Sequence, residues 1–401
     1  MHRSFDLAAR QIEIDRAIIG DQPLLWARKL KKLGQTPLGF FRGSAPLYYE
    51  ILAAEPSLQL QGGDVGHVVG DMHLENVGAY RTDADEVTFD LNDFDDAAVA
   101  PLWVDRLRVG VSVLLAARAF EASARQALDL VRELLGAYDE ALDGAPAPPL
   151  PKPILDLALR ARKRTRRALL DMRAPIVNGR RAFLRGDRYL DIPAESLHEL
   201  PVMIETYRDA LGKRAPSHAS SWTLVDVATR VAGTGSLGRK RFAFIVKDAD
   251  GTERMFELKE AVPSSVECLL GSADREPSER VVAAANALAL SAPRQLAALG
   301  KTPLGSFIGR KLCPEEDKLD LSRLSVGPKL SSVARVVGAL LGHAHARDGG
   351  AAVANGADGA KRVIPRDTEE VIDRAVVLAG AFHSIYLAHS RMVSRSENTA
   401  S

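Results

Sequence analysis

Two short runs near the start of the chain, Val65 to Val69 and Val87 to Leu91, are β-branched or apolar, and the second follows the polar turn Arg81 to Glu86. Such runs bounded by polar turns predict two strands that end in polar loops. After Pro101 the period lengthens. Leu107, Val111, Leu114 and Leu115 recur at helical spacing, and Arg125 to Leu142 predicts a further helix. The proline-rich stretch Asp143 to Pro153 breaks the pattern. Helical periodicity returns through the arginine-rich Leu155 to Leu170 and again around Leu197 to Leu211. Residues 1 to 60 mix helical stretches with a turn-rich patch at Gly34 to Gly43.

At Ser220 the texture switches to alternation. Trp222, Leu224 and Val227 precede a group of glycines, and Phe242, Phe244 and Val246 follow it at every second position. Lys247-Asp248-Ala249-Asp250-Gly251 is a turn leading into a strand at Met255 to Leu258, so this region predicts a small antiparallel sheet built from hairpins. Helices are expected from Glu279 to Leu288, Leu330 to His345 and Glu369 to His389, with a strand at Ser306 to Leu312, a mobile Gly/Ala/Asp loop at Asp348 to Ala360, and frayed last residues. The fold class is α+β. Three segments follow: a helical lobe over 1–215, a small β-rich lobe over 216–315, and helices over 316–401 that return to the first lobe.

Bulk properties narrow the function. Lysine and arginine total 53 against 52 acidic residues, so an anionic partner has to be met by a local patch. The two cysteines, Cys268 and Cys313, lack metal-ligand spacing and fit a reducing compartment. The N-terminal residues intersperse charge where a secretory segment needs a continuous apolar core, and Val109 to Ala117 is far shorter than the roughly 20 residues of a membrane span. The expected location is cytoplasmic, without a membrane partner.

The chemistry concentrates where the first two strands end. Gly70-Asp71-Met72-His73-Leu74-Glu75-Asn76 follows one and Asn92-Asp93-Phe94-Asp95-Asp96 the other. Phosphoryl transfer needs a carboxylate to orient the acceptor and oxygen ligands that hold a divalent cation against phosphate. Asp71 and Asn76 stand five apart, the spacing of a kinase catalytic loop in which Asp is the base and Asn reaches the metal. Asp93 lies 17 residues beyond Asn76, enough chain for a hairpin to bring it back; Asp95 is a further candidate ligand, and Asp90 has the opposite parity along the strand. His73 reads equally as a residue that orients the loop, and it has no companions for a zinc site.

Gly233-Thr234-Gly235-Ser236-Leu237-Gly238 has the GxGxxG pattern, but a strand rather than a helix follows it. That context suggests a hairpin over a nucleotide, with Gly233, Gly235, Ser236 and Gly238 letting backbone approach phosphate. Lys259, in the next strand, is the expected phosphate lysine, with Glu267 or Glu279 as its helical partner. Arg42 and Lys31 precede the loops and are candidates to reach the cleft, as are His345 and Arg347. Each also reads as a packing residue or a member of a surface ion pair.

Phe41-Arg42-Gly43, Gly70-Asp71-x-His73-x-Glu75-Asn76-x-Gly78, Phe89-Asp90-Leu91-Asn92-Asp93-Phe94-Asp95, the glycine loop, Lys259-Glu260-Ala261 and Ala344-His345-Ala346-Arg347 together resemble the bacterial DUF2252 family over most of residues 25 to 350. That family is similar to the protein-kinase-like and aminoglycoside-phosphotransferase superfamily. The resemblance implies a two-lobed fold, Asp71 as base, Asn76 and Asp93 as metal ligands, Lys259 on the nucleotide phosphates, and Asp105 as a brace for the catalytic loop. Because the glycine loop follows the catalytic loop here, it also implies circular permutation, with a hinge-like strand near Phe307 to Leu312. The expected activity is an ATP-dependent, Mg²⁺-assisted phosphotransferase acting on a hydroxyl-bearing small molecule or protein. A nucleotide-binding pseudokinase or scaffold and a nucleotidyl transferase are the alternatives. Arg160, Arg162, Lys163, Arg164, Arg166 and Arg167 raise nucleic-acid binding as a third class, which 5% aromatic content disfavours. Oligomeric state is not legible.

Overall fold

The computed structural model describes residues 2–215, 219–271, 275–314, 316–321, 324–348 and 367–400. Most of the expected loop at Asp348 to Ala360 lies outside them. The chain opens with helices α1 (His2–Ile19), α2 (Pro23–Leu33), α3 (Pro37–Arg42) and α4 (Ala45–Ala54), the last three each carrying proline in the first turn, where no amide hydrogen is needed. Thr36 caps α3 by accepting from the Gly39 amide at 2.9 Å.

Four strands follow: β1 (Val65–Val68), β2 (Val77–Arg81), β3 (Val87–Leu91) and β4 (Ala98–Pro101). β2 and β3 form a hairpin in the register Val77 to Leu91, and β1 pairs antiparallel with β4. Helix α5 (Trp103–Ala116) is buried along nearly its whole length and takes Arg106 and Arg108 into the interior with it. Helix α6 (Ala124–Leu142) starts at a capping box in which Ser123 and Gln126 satisfy each other's backbone amides. Then come α7 (Lys152–Arg162), α8 (Arg166–Arg173), the short strands β5 (Ile176–Val177), β6 (Arg180–Arg181) and β7 (Tyr189–Leu190), and helices α9 (Ala194–Leu197) and α10 (Leu200–Leu211).

The second half supplies β8 (Thr223–Arg230), β9 (Arg241–Lys247), β10 (Glu253–Ala261), α11 (Glu267–Leu270), α12 (Pro277–Leu288), β11 (Ala297–Thr302), β12 (Gly305–Lys311), β13 (Asp317–Lys318), α13 (Pro328–Arg347) and α14 (Thr368–Ala400). β7 to β12 make a six-stranded antiparallel sheet in the order β11-β12-β10-β9-β8-β7. Phe242, Phe244, Phe256, Leu258 and Phe307 on one face pack against Leu200, Met203, Ile204 and Tyr207 of α10. Ala243, Ile245 and Met255 on the other meet Leu170 of α8, Phe183 and Tyr189. Residues 166–211 therefore share their cores with the sheet, which is larger at its N-terminal side than the 216–315 segment. The strand at 305–311, expected near Phe307 to Leu312, lies inside this sheet between β10 and β11.

The main core joins α1, α3, α4, α5, α6, α13 and α14 to the β2–β3 hairpin. α6 and α13 approach backbone to backbone because Gly338 and Gly342 lack a Cβ; one added there would lie 2.0 Å from the Leu134 carbonyl oxygen and 2.4 Å from that of Tyr138. α14 continues helical to Ala400, beyond the expected end near His389. Its Thr368–Arg395 portion is long and apolar enough to cross a membrane by length and composition, yet 44% of its most apolar window is buried in the fold. The fold is a mixed α+β arrangement of antiparallel sheets and helices. Its halves interlock, since β13 extends the β2–β3 hairpin from the far end of the chain.

Candidate active site

The loop after β1 is shaped by backbone accounting. Gly70 has φ +78°, and a Cβ there would lie 1.9 Å from the Asp96 carbonyl oxygen, so only glycine fits this turn. Asp105, in the first turn of α5 and fully buried, accepts from the amides of Val69 at 2.6 Å and Gly70 at 2.9 Å. His345 of α13 approaches the same carboxylate at 3.2 Å and contacts the Tyr138 hydroxyl at 2.8 Å through its other ring nitrogen. Tyr49 donates to the Gly70 carbonyl. The loop is thus held from α4, α5 and α13.

Held in this way, Asp71 presents its carboxylate to Arg108. The guanidinium donates through Nε at 3.0 Å and through Nη2, both to Oδ1, and rests 4.3 Å from the Phe41 ring centroid and 4.6 Å from that of Tyr48. Burial raises the Asp71 pKa to about 6, against the opposing pull of Arg108. The carboxylate is therefore ionised at neutral pH but close to titration. Oδ2 has no protein partner among the described residues.

The β2–β3 hairpin brings the second acidic loop back. Asn76 donates from Nδ2 to the main-chain carbonyls of Asp71 at 3.1 Å and Asp93 at 3.2 Å, while its Oδ1 is buried without a partner. Lys259, from β10, sits against Asp95 and 3.7 Å from Asp93 Oδ1. Asp93 and Asp95 keep 42% and 33% of their side-chain surface exposed, so both carboxylates are open to solvent. Burial pushes the Asp93 carboxyl up, but Lys259, Lys318, Arg241 and Arg310 overcome it and hold the group below its ordinary value. Burial and the neighbouring Asp93 raise Asp95 instead.

The acidic loop is pinned to the sheet by contacts that are silent in the sequence. Arg280 of α12 donates to the carbonyls of Asp95 at 2.8 Å, Val262 at 2.7 Å and Ala97. Ser264 and Ser265 bond Asp96 at 2.6 and 2.8 Å. On the same strand face as Lys259, Glu257 is fully buried and pairs with Arg230, Arg310 at 3.1 Å and Arg241 at 3.6 Å, which against burial hold it well below a normal carboxyl value. Glu257 carries a legible signal: a charge between apolar neighbours in a buried strand has to find a partner.

Other expected residues take different places. Lys259 meets aspartates, not a helical glutamate: Glu267 accepts from the Ser264 amide at 3.1 Å, and Glu279 points to solvent. His73 is buried, accepts from the Glu75 amide at 3.1 Å through Nδ1, and is kept neutral by burial and by Arg42. Arg42 pairs with Glu75, whereas Asp71 is held by Arg108. The basic run 160–167 is partly neutralised, with Arg164 on Asp317 at 2.7 Å and Arg167 on Asp171 at 3.7 Å.

Gly233, Gly235, Ser236 and Gly238 connect β8 to β9 in the same sheet as Lys259. Ser236 Oγ accepts from Arg241 at 2.9 Å. The carbonyl side of this loop is covered by α2. Lys29, paired with Asp15 at 2.9 Å with both side chains 1% exposed, donates to the carbonyls of Thr234 at 3.0 Å and Gly235 at 3.3 Å, and Lys32 donates to Gly233. The N-terminal helices thereby tie the glycine loop to the loop of Asp71.

The donor set suits a hard divalent cation. Asn76 Oδ1 is an orphaned buried acceptor and Asp93 stays ionised, although no group of three or more His, Cys, Asp or Glu side chains converges as a metal cluster among the described residues. No curated protein and no solved structure matches the chain. A family model does match, over residues 22–391, and the chain belongs to that family, described as an uncharacterized protein conserved in bacteria (DUF2252).

Proposed function

We propose that this protein is an ATP-dependent, Mg²⁺-assisted phosphotransferase on a permuted kinase-like framework, acting on a hydroxyl-bearing small molecule or protein. The observation that carries the reading is the meeting of Asp71, Asn76, Asp93 and Lys259 from segments almost two hundred residues apart. The Asp105 contacts beneath the loop add to it, since they serve the bracing role expected of that residue.

Asp71 acts as the base. With Oδ1 fixed by Arg108, Oδ2 accepts the proton of the substrate hydroxyl as its oxygen bonds to the γ-phosphorus and the bond to the β,γ-bridging oxygen breaks, releasing ADP. A pKa of about 6 leaves this group charged at pH 7 yet basic enough to take a proton. Asn76 and Asp93, with Asp95 beside them, would hold Mg²⁺, which supplies charge neutralisation on the phosphates when bound. Lys259 offers its ammonium to phosphate, and Gly233 to Gly238 bring backbone close to it.

The test combines two labels. Protein incubated with Mg²⁺ and γ-labelled ATP should transfer label to an acceptor or release it slowly as phosphate, and Asp71→Asn should abolish this while Mg-ATP still binds. Full activity in Asp71→Asn sinks the assignment. Label arriving from the α position instead identifies a nucleotidyl transferase, and calorimetric Mg-ATP binding with no turnover identifies a pseudokinase or scaffold. Mg-ATP affinity unchanged in Lys259→Ala contradicts the proposed cleft.

A further inference from the structure

A recess of about 230 Å³ opens at the end of β12, away from the Asp71 cleft. Arg310 and Lys311 are successive residues of that strand and so project to opposite sides: Arg310 reaches Glu257, whereas Lys311 enters the recess. Arg81, Arg166, Arg254 and Arg294 converge on Lys311 from β2, α8, β10 and the segment before β11. Asp85 is shared by Arg81, at 3.3 Å, and Arg294; Arg254 is paired with Asp248 at 2.8 Å. Arg166 and Lys311 have no carboxylate partner among the described residues.

The backbone holds these cations in place. The Arg294 amide bonds to the Arg81 carbonyl at 3.1 Å and the Lys311 amide to the Arg294 carbonyl at 3.3 Å, while Leu170, Met255 and Leu312 form a buried apolar floor. Lys311 and Arg166, without carboxylate partners among the described residues, repel each other across the recess. Burial depresses the Lys311 pKa, against an opposing pull from Cys313 and with Arg294, Arg254 and Arg166 adding to it. An anion with more than one charge relieves that repulsion, and the guanidinium forks suit tetrahedral phosphate oxygens.

We propose that this recess is a second binding site, specific for a small phosphate monoester, with Lys311 and Arg166 as its principal charged contacts. The volume is below the roughly 300–1,000 Å³ of sites for drug-sized ligands, so it takes a phosphate with a few carbons and not a nucleotide. The apolar floor accommodates those carbons. This site stands independently of the phosphotransferase reading, since it uses none of the same side chains.

Calorimetric titration of the full chain at low salt with glycerol 3-phosphate, inorganic phosphate and glycerol tests it. Glycerol 3-phosphate should bind, glycerol should not, and Lys311→Met and Arg166→Ala should each weaken binding about ten-fold or more. Arg166 is exposed, so its replacement keeps the fold and the test survives if Lys311→Met does not. Lys259→Ala should leave the affinity as it is, which separates the recess from the cleft. Inorganic phosphate binding more weakly supports a monoester; inorganic phosphate binding as tightly overturns that specificity. Absence of glycerol 3-phosphate binding, equal affinity in Arg166→Ala, or loss of binding in Lys259→Ala overturns the proposal.

Discussion

Replacing Asp105 by alanine should cost more stability than any substitution of an exposed residue. The carboxylate accepts two buried backbone amides, at 2.6 and 2.9 Å, and faces His345 at 3.2 Å. A stranded buried donor costs about 1–3 kcal/mol, so two amides amount to about 2–6 kcal/mol. His345 can still bond Tyr138, and for that reason it adds little. Asp105→Asn keeps one acceptor oxygen and turns an N–H₂ group toward the second amide, so its cost should be about half as large. Urea unfolding followed by tryptophan fluorescence, with Trp103 two residues away, gives both values by linear extrapolation. If Asp105→Ala lies within 1 kcal/mol of the parent protein, the carboxylate does not hold the loop. If Asn proves as damaging as Ala, the count of two accepted amides is wrong.

Other outcomes follow from the same structure. Lys29→Met leaves Asp15 buried without its cation and should lose about 3–5 kcal/mol in urea unfolding, most of it recovered in the double variant with Asp15→Leu. His389 is fully buried with neither ring nitrogen bonded, and burial, with Lys29 nearby, lowers its pKa to about 4. The unfolded chain binds a proton below pH 6.5 that the folded chain refuses until about pH 4. Stability should therefore fall by about 1.4 kcal/mol per pH unit across that window, a slope that pH-dependent melts of His389→Leu should lack. For the proposed transfer reaction, kcat/KM should decline as pH falls through about 6, where Asp71 takes up its proton. Because Arg108 holds that value down, Arg108→Met should move the acid limb upward, and an unmoved limb would separate Asp71 from the titration.

The sequence carried those parts of the molecule whose cause is local. The β2–β3 hairpin, the β8–β9 hairpin and α12 are visible because alternation, turn residues and helical spacing sit within a dozen residues of one another. β13 was not visible: two residues, Asp317 and Lys318, become a strand only because β2 offers them an edge. Residues 166–211 read as part of a helical lobe, since a helix facing a sheet and a helix facing helices have the same period. Within the site, Asp71, Asn76, Asp93 and Lys259 stand out by residue type and spacing. Their supports do not. Arg280 works through backbone carbonyls, which every residue has, and Arg108 sits three residues after Asp105 in a helix where it reads as a flanking charge. The partner of Lys259 was sought on a helix and lies in the acidic loop, since only the three-dimensional crossing of β10 over that loop brings them together.

The interlocking of the two halves sets a timetable for biosynthesis. Asp71 is made long before the lysine and histidine that complete its surroundings, Lys259 and His345. At about 5–20 residues per second, the nascent aspartate loop waits about 10–40 s for Lys259 and longer for α13. Through that interval the Val69 and Gly70 amides can already find Asp105, but Asp93 and Asp95 have no cation from β10. A ribosome stalled before residue 259 would thus carry a chain with a shaped loop and no cleft, exposed to chaperones and proteases.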